Sequence, residues 1–214
     1  QQHKLDALYH DYFFVRQEAL WRISGLEKLP ELQGATHMLI CAEDLGLVPD
    51  CVPQVLDELG IVALKLQRAP KEQIPFYDPK HLGYMNVTTT SSHDSSTLRQ
   101  WWAETPTLTQ QYYEKQLQRI GIAPSELTPA LAEQIIRQNL QSPAMLAIFP
   151  LQDWLATSEE LRHPNADAER INNPANPDQR WAYRMHVTLE ELLSADAFNQ
   201  EVSSWITLSD RYLS

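Results

Sequence analysis

Two short stretches end in residues suited to proton transfer and to gripping hydroxyl groups. The apolar run Leu39-Ile40-Cys41-Ala42 stops at Glu43-Asp44, and the β-branched run Val87-Thr88-Thr89-Thr90 leads through Ser91-Ser92 to His93-Asp94. A third apolar run closes at Gln67-Arg68. A carboxyl desolvated by the strand it ends, with other carboxylates nearby, holds its proton more tightly than usual. A general acid working near neutral pH needs that property. Glu43 has the position for it, with Asp44 and Asp94 as the neighbours. His93, as a neutral donor beside Asp94, could bind a hydroxyl or hold a carboxylate. Taken singly, Asp44 and Asp94 suit a helix N-cap equally well, because a helix begins soon after each. The repetition at two strand ends favours chemistry over capping.

The elements that must bring these ends together read as strands alternating with helices. Runs over 37–41, 61–66, 84–90 and 144–149 predict strands. Helical spacing predicts helices over 12–29, closed by Pro30, and over 51–59, stopped by Gly60. Further helices are predicted over 95–103, 108–120, 129–140 and 187–193, with an irregular surface segment over 162–179. Runs that are apolar throughout fit strands covered on both faces, and repeated βα units fit a parallel sheet. In such folds the carboxyl ends of the strands converge on one face. A doubly wound sheet and part of a closed barrel both satisfy this order.

Composition narrows the partners. The chain has 214 residues and a net charge of -11, which argues against nucleic acid or an anionic membrane and leaves a neutral ligand compatible. No apolar run approaches the length of a bilayer span. Cys41 and Cys51 lack metal-ligand spacing and read as reduced thiols of a cytosolic protein. No histidine pattern marks a metal site, the few glycines do not cluster into a phosphate loop, and no cofactor is expected. The six tryptophans and eight tyrosines suit sugar faces but suit packing better. Adjacent Trp101 and Trp102 are expected to pack their helix onto the sheet.

Three blocks in order resemble the 4-α-glucanotransferases (amylomaltases, disproportionating enzymes; glycoside hydrolase family 77). Cys41-Ala42-Glu43-Asp44-Leu45-Gly46, with Pro49 beyond, resembles the family's acid/base motif. Ser92-His93-Asp94, followed by Thr97-Leu98-Arg99 and Trp101-Trp102, is similar to its second catalytic block. Arg170-Ile171-Asn172-Asn173-Pro174 and Trp181-Ala182-Tyr183-Arg184 resemble its C-terminal block. Gln67-Arg68-Ala69-Pro70 and the stretch 181–186 look most like the subgroup of plants and Bacteroides-type bacteria. The resemblance implies a retaining α-glucan transferase on a (β/α)8 barrel, acting on malto-oligosaccharides or other α-glucans. Glu43 would be the acid/base. Asp94 would bind the hydroxyls of the sugar whose bond breaks, with His93, Asp44 and Asn172 as further substrate-binding residues. Trp181, Tyr183 and Arg184 would dock the C-terminal segment onto the barrel.

Retention requires a carboxylate nucleophile about 5 Å from the acid. The family carries it as an aspartate in an Arg-x-Asp-His pattern at the end of the fourth barrel strand, and nothing before Glu43 matches; Asp6 and Asp11 end no apolar strand. The four predicted strands are therefore expected to be strands five to eight. On this reading residues 1–214 form a single partial catalytic domain, with a C-terminal helical and irregular segment, whose partner is the upstream half of the same polypeptide. Alone it is expected to be inactive. Its two strand edges should lead it to form a homodimer, to aggregate, or to cover the edges with the helix at 12–29 and the tail. An α-amylase-type hydrolase and a non-catalytic carbohydrate-binding scaffold are the competing functions.

Overall fold

In the computed structural model, residues 2–43, 48–71 and 73–211 are described. Four parallel strands form one sheet in the order β1-β2-β3-β4: Cys41–Ala42, Val62–Leu66, Asn86–Thr89 and Leu146–Ala147. Each strand neighbours the next in chain order, without the reversal that a doubly wound sheet carries. The fold is thus an open segment of barrel. Four strands are present as predicted but are shorter, and β1 shares only Cys41 with the run predicted over 37–41. Only β3 is buried along its whole length.

Local chemistry explains the helices that link them. Helix α3 (Cys51–Leu59) buries Cys51, Val55 and Leu56 on one face. It ends at Gly60, whose φ of 63° lets its N–H and that of Ile61 turn back to Asp57 and Leu56 carbonyls. Its first amides are capped by Glu18, whose carboxylate accepts from Asp50 N at 3.1 Å and Cys51 N at 2.7 Å. Glu18 opens α2 (Glu18–Gly34), which packs on α3 where Gly25 meets Val55; a Cβ at Gly25 would lie 3.2 Å from Val55 Cγ1. Contrary to expectation, α2 runs through Pro30. The proline is exposed, so water can take the hydrogen bond its ring removes. Before α2 come α1 (Gln2–Asp11), which was not foreseen, and a π-helical turn (Tyr12–Arg16) at the start of the helix predicted over 12–29.

Past β3, α4 (Leu98–Glu104) starts at a capping box of Thr97 and Gln100. It packs with α5 (Pro106–Lys115) and α6 (Pro129–Leu140); the last has the predicted bounds and is capped by Thr128. Trp101, Trp102, Tyr112 and Phe76 meet edge-on at the centre of this core, with centroids 4.9–6.5 Å apart. Both tryptophans of the adjacent pair are buried, as the packing account requires. After β4, α7 (Leu151–Leu155) is followed by irregular chain, then α8 (Leu189–Ser194) and α9 (Asp196–Leu208). Helix α9 sets Trp205 against Ile136, Leu140 and Phe149. Met38 and Leu39, just ahead of β1, are exposed. No described helix is long and apolar enough to cross a membrane.

Candidate active site

The carboxyl end of β3 leads into a tight loop, 90–97, that carries His93 and Asp94. Ser95 closes it: its Oγ accepts from Ser92 N at 2.8 Å, and its own N–H donates to Ser92 O at 3.2 Å. The irregular strap after the 3-10 turn Ala166–Glu169 lies across this loop. Asn172 Nδ2 donates to Asp94 Oδ1 at 2.5 Å, and Asn172 N donates to His93 O at 3.1 Å. His93 Nε2 lies 3.3 Å from the other Asp94 oxygen. The Trp181 ring leans on His93 at 4.7 Å between centroids, while itself staying 62% exposed. His93, Asp94 and Asn172 are therefore one cluster, drawn from two distant parts of the chain. Asp94 keeps part of its surface open, on a carboxylate whose two oxygens are oriented by one neighbour each.

Glu43 follows β1 directly. The register pairs Ala42 with Ala63 and Ala63 with Asn86, so Glu43 falls in a row with Leu64 and Val87. All three line one hollow of about 290 Å3, with Thr89, Ser91, Ser92 and Ile148. Glu43 thus shares a hollow with Ser91 and Ser92, the residues leading to His93-Asp94. It is exposed rather than desolvated, which corrects the sequence expectation. The reason is local: β1 is two residues long and, among the described strands, pairs only with β2, so nothing in this sheet shields the glutamate from its other side. Asp44 lies outside the described residues.

Gln67 departs from the expected convergence on the rim. Its side chain turns back into the helical layer, where Oε1 accepts from Tyr112 Oη at 2.8 Å and from Asn139 Nδ2 at 2.9 Å. Sequence reasoning also missed two buried carboxylates beneath the Asp94 loop. Asp153 of α7 is fully buried and accepts from Thr90 Oγ1 at 2.6 Å and Leu98 N at 2.8 Å. Glu169 accepts from Thr97 Oγ1 at 2.9 Å and pairs with Arg99. Burial raises the pKa of both, against the hydrogen bonds and cations that favour their charged forms. The only local signal for Asp153 was its place just after Pro150, at the close of the fourth apolar run. Burial likewise raises the Tyr183 phenol in the strap. Among the described residues no cluster of histidine, cysteine or carboxylate groups could hold a metal ion.

Comparison with known proteins sets this geometry in a family. A family model described as 4-alpha-glucanotransferase matches residues 1–189. The chain is 42% identical to the 4-alpha-glucanotransferase DPE2 of Oryza sativa subsp. japonica over 97% of its own length and 22% of that protein. It is 32% identical to a 4-alpha-glucanotransferase of Chlamydia pneumoniae, covering 86% of itself and 35% of that relative. An amylomaltase from Streptococcus agalactiae, solved in complex with acarbose, superposes with a TM-score of 0.66 at 19% identity, over 88% of this chain and 35% of that one. The chain therefore spans about a fifth to a third of the proteins it matches. With its parallel βα order and its three sequence blocks, the chain belongs to the 4-α-glucanotransferase family.

Proposed function

We propose that residues 1–214 supply the acid/base half of a retaining 4-α-glucanotransferase that moves 1,4-α-glucan segments between malto-oligosaccharides or onto glucose. The observation that carries this reading is the Asn172–Asp94–His93 cluster at the carboxyl end of β3, in a chain of this family. Glu43 protonates the leaving glycosidic oxygen and later takes the proton of the acceptor hydroxyl. Asp94, held by Asn172 and His93, grips the hydroxyls of the sugar being cleaved and favours the oxocarbenium-like transition state. Asp44 adds a further contact to that sugar. The covalent nucleophile comes from the part of the barrel that precedes these four strands, and that part also covers Glu43. The two free thiols fit a reducing compartment, the cytosol.

The test is Glu43→Gln in the full-length enzyme, assayed on maltotriose with product analysis. Turnover should fall by about 10²–10⁴ while glucan binding persists. An unchanged rate would remove Glu43 from the mechanism. Release of glucose and maltose without longer glucans, in the unaltered enzyme, would replace transfer by hydrolysis. The chain alone should bind or scaffold without turning over substrate, and disproportionation by the isolated chain would refute the division of labour.

A further inference from the structure

We propose that Arg68, supported by Asp153, is the positioning residue of the Asp94 loop: it ties the end of β2 across the whole turn that presents Asp94 to the sugar. The inference rests on the glucan-transfer reading of Asp94. Arg68 closes the third polar strand end, and its side chain turns to the loop after β3. Its Nε donates to Thr90 O at 2.9 Å, and its Nη2 donates to Ser91 Oγ at 3.0 Å and Ser95 Oγ at 3.3 Å. Nη2 also donates to Ser96 O. One guanidinium therefore holds the loop before, within and after its tip.

Asp153 grips the same loop from the other side. It binds Thr90 at the exit from β3 and the first amide of α4, so both ends of the loop are anchored to one carboxylate. Arg170 closes the arrangement from the strap: Nε donates to Asn172 O at 2.9 Å and Nη1 to Ser96 Oγ at 3.1 Å. Burial pulls the Arg68 guanidinium down to about 10, and attraction to Asp153 opposes the fall, leaving it charged at neutral pH. The guanidinium carbon lies over the Trp101 ring, 5.4 Å from its centroid, within cation–π reach. A lysine has a point charge and no fork, so it cannot serve Thr90, Ser91, Ser95 and Ser96 at once. The loop would then relax while its composition, and the bound sugar's direct contacts, stayed the same.

The experiment uses the full-length enzyme with Arg68→Lys, Arg68→Ala and Asp94→Asn. A displacement of about 1 Å at a reacting centre costs on the order of 10²-fold. Arg68→Lys should therefore lower kcat by roughly 10–100-fold, with KM moved less than about threefold. Millimolar guanidinium should recover part of the kcat of Arg68→Ala and none of Asp94→Asn, since it refills the missing fork without replacing the carboxylate. If Arg68→Ala does not fold, Arg68→Lys alone decides the matter through its split between kcat and KM. Arg68→Lys with wild-type kcat, or a loss confined to KM, overturns the inference while Asp94→Asn stays inactive. Full activity in Asp94→Asn overturns the glucan-transfer reading itself.

Discussion

The rim at β3 and the rim at β1 carry the two carboxylates of interest, and they are built in opposite ways. Asp94 leaves a strand whose four residues are all buried, on a loop tied to three separate helices, strands and straps by Arg68, Asp153 and Asn172. Glu43 leaves a two-residue strand with exposed residues before it and an open hollow beside it. The first is preorganised by this chain. The second is aimed by the sheet but not enclosed by it. On the proposed reading Asp94 grips a sugar, and such a carboxylate must be fixed against its own flexibility, so its supports are best placed close in the fold. The acid/base role proposed for Glu43 needs in addition a dry, shaped surrounding, and these four strands leave it exposed.

The contrast can be broken most sharply through stability. Trp102 is buried to 1% and donates its indole N–H to Pro124 O at 2.8 Å in the core under the Asp94 loop. Trp102→Ala should cost about 3–5 kcal/mol in a denaturant titration of the chain. A cost under about 1 kcal/mol would mean that the α4–α6 core is not what supports this rim. A smaller effect should appear in pH dependence. Glu169 has its pKa raised by burial, so its contribution to stability is complete below the ordinary carboxylate range and is lost as pH rises through the folded value. Glu169→Gln removes that titration. The Tm of the variant relative to wild type should climb as pH rises above the ordinary carboxylate range, and a flat or falling difference would deny that burial raises the Glu169 pKa. The smallest effect belongs to the other rim. Met38, 76% exposed just before β1, should tolerate Met38→Ser within about 0.5 kcal/mol in the same titration. A larger loss would show that the β1 edge is packed in solution after all.

Much of the framework followed from local pattern. Strand positions came from apolar and β-branched runs, and α3 and α6 from helical spacing, because each has its stop or start in the chain itself: Gly60 for one, Thr128-Pro129 for the other. Helix α9 escaped notice although Val202, Trp205 and Ile206 pack with Ile136, Leu140 and Phe149; its polar residues dilute the stripe. Pro30 misled because the rule against internal proline assumes that no water reaches the gap.

What the amino-acid order determined alone was the succession of βα units and the placing of carboxylates at the ends of two of them. Those are consequences of side-chain period and turn chemistry acting over a few residues. What only the tertiary structure decided was direction and burial. Gln67 and Arg68 are neighbours, yet one turns into the helices and the other spans the Asp94 loop. Asp153 became a buried anchor through Thr90, 63 residues away, and Asn172 reached Asp94 across 78. A buried polar group is stable only where its partners are, and those partners are set by packing rather than by any local pattern in the chain.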